Sequence, residues 1–183
     1  KGVGTREAQY RTYPDGQLGA QILGFVNDDG EGTYGLEQAL NKDLKGTPGQ
    51  LKAITDAAGV PLAANKDNVV IAPKSGEKVT LTVDIGLQQQ VEEILKLGVE
   101  AAKGESGSAL VLDANTGAIK AMAGFPTYNP AEYFKVTDPK AFNNTSVSSP
   151  LEVGSVMKPL TAAAALDLGT VNPNTSYADP GFY

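Results

Sequence analysis

The stretch from residue 79 to residue 123 constrains this chain most, because it reads as three elements in a fixed order. Val79-Thr80-Leu81-Thr82-Val83 alternates with the period of a strand. Asp84 follows as an N-cap. Leu87, Val91, Ile94, Leu95, Gly98 and Ala102 then recur at helical spacing, which predicts a helix to about Lys103 with Gly104 ending it. Residues 108–113 and 118–123 read as two strands joined by Ala114-Asn115-Thr116-Gly117, a hairpin signal. Strand, helix and hairpin thus follow one another in a single run.

Upstream the pattern is looser. Tyr13-Pro14-Asp15-Gly16 is a turn in which Pro fixes φ and Gly supplies φ > 0. Residues 20–26 fit a strand or a buried turn of helix, and the period does not choose between them. Residues 27–32 form an acidic loop without the ligand spacing of an EF-hand, and read as a solvated turn. Residues 35–44 predict one short helix with Leu36, Leu40 and Leu44 on one face, capped by Gly46. Residues 46–78 are loop and short strand, with Val69-Val70-Ile71 the apolar core of one strand. Pro73-Lys74-Ser75-Gly76 breaks the pattern and divides the chain into residues 1–75 and 76–183. Downstream, residues 124–154 hold Pro126, Pro130, Pro139 and Pro150. A connection that long within a domain points to function. A helix is predicted over residues 155–168, ending at Gly169.

Composition narrows the chemistry. The chain has no Cys, which excludes disulfides, thiol catalysis and Cys zinc sites, and no His, which removes the Ser-His-Asp triad and the commonest metal ligand. A net charge of −6 without a basic cluster argues against nucleic acid as a partner. No metal or cofactor is implied. The longest apolar stretch near the C-terminus, residues 160–168, falls far short of the ~18–20 residues that span a bilayer. The chain starts at Lys1 and stops at Tyr183, just after Asp179-Pro180-Gly181, so we expect a piece of a longer protein.

Without His, a Ser activated by Lys is the chemistry to look for. In S-x-x-K on a helix the two side chains share a face. Lys serves as a base where desolvation favours its neutral amine. The spacing alone is weak, since eight Ser and thirteen Lys produce it by chance about as often as not. It occurs twice. Ser75-Gly76-Glu77-Lys78 lies in a Pro/Gly turn leading into a strand and reads as a solvated turn. Ser155-Val156-Met157-Lys158 follows the long connection and opens an Ala-rich helix, Thr161-Ala162-Ala163-Ala164-Ala165-Leu166. A helix N-terminus offers free N–H groups to a developing oxyanion. On spacing alone, an amphipathic helix with an incidental Ser and Lys explains the second motif equally well.

Here the residues resemble a family. Glu152-Val153-Gly154-Ser155-Val156-Met157-Lys158-Pro159-Leu160-Thr161 is similar to the active-serine segment of class B penicillin-binding proteins, the peptidoglycan DD-transpeptidases. Arg11-Thr12-Tyr13-Pro14 and Gly32-Thr33-Tyr34-Gly35-Leu36-Glu37 resemble their non-catalytic, dimerisation-like pedestal. Leu81-Thr82-Val83-Asp84 with Gln88 resembles the entry to the transpeptidase domain. Residues 116–123 resemble its first hairpin, and residues 126–130 the segment that follows. The resemblance implies an α+β fold: a β-rich pedestal over residues 1–75, then the first part of a transpeptidase domain, with helices on an antiparallel sheet, over 76–183. It implies Ser155 as the nucleophile that attacks the penultimate D-Ala carbonyl of a stem peptide. Lys158 would accept its proton, and the Ser155 backbone N–H would form half of an oxyanion hole. β-Lactams are the implied covalent inhibitors, and a membrane glycosyltransferase of the SEDS family the implied partner. The implied location is the outer face of a bacterial plasma membrane, reached by an N-terminal anchor outside these residues. Val153 and Asn144 stand where family members often carry Pro and Arg. The family's Ser-x-Asn and Lys-Thr-Gly motifs would follow Ser155 beyond Tyr183. The alternatives are a serine β-lactamase or carboxypeptidase, and a non-catalytic module of the wall-synthesis machinery.

Overall fold

The structure, a computed structural model, describes residues 10–52 and 69–181. The expectations for residues 1–9 and 53–68 lie outside the described residues. The chain falls into two compact units, residues 1–149 and 150–183.

The first unit begins with a turn at Tyr13, whose carbonyl accepts from Gly16 N–H at 3.1 Å. The stretch that fits strand or helix is both. Helix α1 is Ala20–Leu23 and strand β1 is Phe25–Val26, with Gly24 between them at φ 79°. Only Gly fits there, because a Cβ would meet the Tyr34 carbonyl oxygen at 2.1 Å. β1 pairs antiparallel with β2, Gly32–Thr33, across the acidic turn. Asn27 Oδ1 accepts from the N–H groups of Asp29 and Glu31, each at 3.0 Å, so the turn satisfies itself.

The single helix expected over residues 35–44 is instead two, α2 (Gly35–Ala39) and α3 (Asn41–Lys45), broken at Leu40 with φ −109° and ψ 18°. The cause lies in Asn41. Its Oδ1 accepts from Gly32 N–H at 2.9 Å and its Nδ2 donates to Glu31 Oε2 at 2.6 Å. A side chain tied to the β-turn competes with straight helix propagation. Strands β3 (Gln50–Lys52) and β4 (Val69–Ile71) pair antiparallel, and Thr47 bridges Lys74.

The strand expected over residues 79–83 does not form. This segment bends at Thr82, where Thr82 Oγ1 donates to the Ile119 carbonyl at 2.7 Å, and Asp84 N–H donates to the Lys120 carbonyl at 2.9 Å. Alternation makes a strand only where a continuous ladder receives it. Helix α4, Ile85–Ala101, is capped as expected, with Asp84 Oδ1 accepting from Leu87 N–H at 2.9 Å. It ends in a Schellman motif. Lys103 N–H donates to Glu100 O at 3.0 Å and Gly104 N–H to Val99 O at 2.9 Å, with Lys103 at φ 54°.

β5 (Gly107–Leu112) and β6 (Ile119–Phe125) form the expected antiparallel hairpin, with Gly107 opposite Phe125 and an irregularity at Val111/Leu112. Its turn is held by Asp113, whose Oδ1 accepts from Asn115 and Thr116 N–H at 2.9 and 3.0 Å. Those donors hold the Asp113 carboxyl below its ordinary range. α4 packs on this hairpin. Val99 is buried there, and a Cβ on Gly107 would come within 2.6 Å of its Cγ2. Gln88, 2% exposed, acts as a strand partner for Met122. Its Nε2 donates to Met122 O and its Oε1 accepts from Met122 N–H, both at 2.8 Å.

The proline-rich connection is ordered by three side-chain caps. Asn129 and Asp138 each accept a backbone N–H two residues on, opening 3-10 turns at Pro130–Lys135 and Pro139–Phe142. Asn144 does the same for the short helix α5, Thr145–Ser148. The core is aromatic. Phe25 stacks on Tyr133 with centroids 4.2 Å apart, and Phe142 meets Phe25 at 5.0 Å and Tyr128 at 4.9 Å. Each such pair adds about 0.5–1.5 kcal/mol beyond area burial. The core draws on both sides of residue 75, since Ala20 and Phe25 pack with Tyr128.

The second unit enters a 3-10 turn at Gly154–Val156 and continues as helix α6, Met157–Asp167.

Candidate functional site

α6 forms because its middle is Ala162 to Ala165, the best helix former repeated, and because Pro159 lies within the first turn, where its missing N–H matters least. Thr161 Oγ1 donates back to the Met157 carbonyl at 3.0 Å. A Schellman motif closes the helix. Gly169 N–H donates to Leu166 O and Thr170 N–H to Ala165 O, both at 3.0 Å, with Gly169 at φ 65°. The start is marked by Gly154 at φ 56°, a left-handed value that turns the chain into the helix.

Ser155 lies on the 3-10 turn and Lys158 is the second residue of α6. Helical backbone runs on from Val156 (φ −68°, ψ −14°) through Met157 (φ −72°, ψ −23°), so the spacing of three puts Ser155 and Lys158 on one face. Both side chains are exposed. No hydrogen bond or ion pair among the described residues engages either side chain. The surrounding surface is apolar, with Val156 66% and Leu160 63% exposed. A helix start that sets a hydroxyl and an amine on one face brings together the two side-chain types that Ser/Lys acyl transfer uses.

The other Ser-x-x-Lys has no such setting. Ser75 lies on an irregular segment tied to α3. Glu77 N–H donates to Asp43 O at 2.7 Å, and a Cβ on Gly76 would meet Leu44 O at 1.9 Å. No helix aligns Ser75 with Lys78. An open groove of about 1010 Å³, lined by Tyr13, Lys45, Lys74, Tyr133 and Phe134 among others, contains neither Ser155 nor Lys158. No group of acidic residues among the described residues is placed to hold a metal ion. No helix among them is long and apolar enough to cross a membrane.

Sequence reasoning did not find the pairing of Arg11 with Glu37, or the buried amides of Gln21 and Gln88. Both glutamines sit at positions where polarity suggests solvent, and only their distant carbonyl partners reveal them.

Two family descriptions match in succession, the penicillin-binding protein dimerisation domain over residues 1–81 and the penicillin-binding protein transpeptidase domain over residues 107–183. A dimerisation region followed by a transpeptidase region is the order of the class B penicillin-binding proteins, and the chain belongs to that family. Penicillin-binding protein PbpB of Mycolicibacterium smegmatis is 37% identical over 98% of this chain and 28% of its own length. The peptidoglycan D,D-transpeptidase FtsI of Escherichia coli is 34% identical over 95% of this chain and 29% of its own length. The crystal structure of penicillin-binding protein 3 from Mycobacterium tuberculosis complexed with aztreonam matches with a TM-score of 0.73 at 32% identity. It covers 93% of this chain and 34% of that one. The 183 residues therefore span less than a third of these curated relatives. The α+β class expected from sequence is the class of the observed fold.

Proposed function

We propose that the protein containing these residues is a serine D,D-transpeptidase of peptidoglycan synthesis, with a pedestal over residues 1–75 and its transpeptidase domain starting at about residue 76. Ser155 Oγ attacks the penultimate D-Ala carbonyl of a stem peptide. Lys158 takes the hydroxyl proton and passes it to the amine of the departing D-Ala. The amine of a second stem peptide then attacks the acyl-Ser155 carbonyl; Lys158 takes the proton of that amine and returns it to Ser155 Oγ as the ester bond breaks, forming the cross-link. The Ser155 N–H is one oxyanion donor. β-Lactams acylate the same Ser155; the complexes of M. tuberculosis penicillin-binding protein 3 with aztreonam and ampicillin support this. The enzyme works at the outer face of the plasma membrane, in division or elongation, beside a SEDS glycosyltransferase.

One observation carries the reading: of two Ser-x-x-Lys motifs, the one within the transpeptidase match opens a helix, and the other does not. The test is covalent labelling of the full-length protein by a fluorescent penicillin. Ser155→Ala abolishes labelling and Ser75→Ala leaves it intact. Undiminished labelling of Ser155→Ala would show that another residue is the nucleophile.

A further inference from the structure

Pro159 is the third residue of α6 and brings no N–H to its backbone. The α-helical part of this segment begins at Met157, and the residues before it, Gly154–Val156, form a 3-10 turn. That order follows from the proline. An α-helix begun one residue earlier would need residue 159 to donate to the Ser155 carbonyl, four positions back, and proline has nothing to donate. The Ser155 carbonyl instead accepts from an N–H at the end of the 3-10 turn, as the Gly154 carbonyl does. The backbone angles agree. Val156 has ψ −14° and Met157 ψ −23°, nearer the 3-10 range of about −20 to −30° than the α value of about −42°. The stability of α6 loses little by this, because the first N–H groups of a helix have no intrahelical partner. What the missing donor decides is how the backbone winds between Ser155 and Lys158.

Winding decides how the two side chains face each other. Three residues on, a 3-10 turn has come full circle, so side chains at i and i+3 eclipse. An α-helix, at ~100° per residue, stops about 60° short of that. Helical side chains also lean towards the N-terminus, so a lysine at 158 leans back towards residue 155. The axial gap is larger in the 3-10 form, about 6 Å against about 4.5 Å, and the four-carbon stem of lysine suits the longer step. We propose that Pro159 is a positioning residue for acyl transfer: by withholding a donor from the Ser155 carbonyl it keeps the Ser-x-x-Lys turn in the 3-10 form and sets the Lys158 amine in line with the Ser155 hydroxyl. Pro159 acts through the backbone of residues 155–158, not by contact with the reacting atoms. This rests on the reading of Ser155 as the nucleophile and Lys158 as its base. Misplacing a reacting group by about 1 Å can lower a rate by ~10²-fold, so turning Lys158 off line should slow the acylation step rather than weaken prior binding.

The test uses the full-length protein in two forms. Pro159→Ala supplies the donor in the residue that favours helix most. Lactic acid in place of Pro159 has the shape of alanine but an ester oxygen where the N–H would be. Two readouts are taken: hydrogen exchange of the new amide at residue 159 in Pro159→Ala, and penicillin acylation of both forms. Acylation is resolved into its dissociation constant and first-order rate constant, per titrated active site, so that a misfolded fraction does not count. In Pro159→Ala the new amide should be protected from exchange, as a bond to the Ser155 carbonyl requires. Its rate constant should fall about tenfold with the dissociation constant unchanged. The lactic acid form should acylate near the wild-type rate. A freely exchanging amide at 159 overturns the claim that proline keeps a donor from the Ser155 carbonyl, whatever residue is acylated. A protected amide with an unchanged rate constant overturns the positioning role and leaves Pro159 structural. Slow acylation in both forms overturns it as well, because the ring and not the missing donor would then matter. The Ser155→Ala labelling experiment judges the underlying reading separately.

Discussion

Arg11 and Glu37 meet as a two-point ion pair across 26 residues of chain, with Nε donating to Oε1 at 2.6 Å and Nη2 to Oε2 at 2.8 Å. The Glu37 side chain is only 12% exposed, so the carboxylate side of this ion pair is sheltered from solvent. Bonding to Glu37 pushes the Arg11 guanidinium above its ordinary pKa, so it stays charged at any working pH. Arg11→Ala leaves a buried carboxylate without its cation and should destabilise the fold by about 2 kcal/mol. Arg11→Lys keeps the charge but loses the fork, and should recover only part of that. Urea midpoints of the full-length variants measure both, and equal midpoints for wild type and Arg11→Ala would refute the claim.

Tyr128 gives the fold an alkaline limit. Burial, assisted by Tyr13 and Tyr34 nearby, pushes its phenol well above the ordinary range. A raised pKa on an acid favours the protonated form in the folded state. Its contribution is therefore complete below the unfolded value near ~10, and is lost as pH rises from there towards the folded value. Stability should fall with pH above ~10. Tyr128→Phe should flatten that slope by about one proton, while losing about 1 kcal/mol at pH 7 with the bond to Ala20 O. Denaturation curves between pH 8 and 11 decide it, and an unchanged slope in Tyr128→Phe sinks the assignment.

Two helices end in the same motif with different residues at the left-handed position. α6 uses Gly169 at φ 65°, whereas α4 uses Lys103 at φ 54°. The left-handed conformation costs a residue with a Cβ about 1–2 kcal/mol, and Gly gives back part of this in unfolded-state entropy. Lys103→Gly should stabilise the protein by about 0.5 kcal/mol. A lower melting temperature for Lys103→Gly would show that the Lys103 stem packs usefully on α4.

What sequence made legible was local. The Asp84 cap, α4 and the 107–125 hairpin follow from residues within a few positions of each other. The misses have distant causes. The break at Leu40 needs Asn41 to find Gly32, and residues 79–83 alternate without receiving a ladder. The aromatic core joins Phe25 to Tyr128 and Phe142 across more than a hundred residues, which no window of periodicity can span. The Ser-x-x-Lys spacing of residues 155 and 158 at a helix start was readable because it is itself local. Gln21 was not, since nothing near it in sequence accepts its amide.

Lys158→Arg separates proton transfer from charge. Arg keeps a cation on the same face of α6 but cannot release its proton at a usable pH. General-base catalysis is worth about 10²–10⁴ in rate, so penicillin acylation of the full-length Lys158→Arg protein should fall by at least ~10² with its far-UV circular dichroism unchanged. Acylation within a few-fold of wild type would confine Lys158 to a structural role.

The 183 residues on their own should not be acylated at a useful rate. Apart from Lys158, Thr161 and Asp167, α6 is apolar, yet its Met157, Leu160 and Leu166 are exposed, and a helix of that character needs a packed surround to be stable. Eleven residues is also below the length at which an isolated helix holds in water, about 12–15. An exposed Lys158 has solvent rather than a dry site around it, and desolvation is what turns a lysine into a base. Loss of one oxyanion donor alone lowers rates by ~10²–10³, and an unsupported helix start loses orientation as well. Mass spectrometry after hours with excess penicillin should find the isolated chain unmodified. A stoichiometric adduct on Ser155 would show that these residues form a working acylation site by themselves.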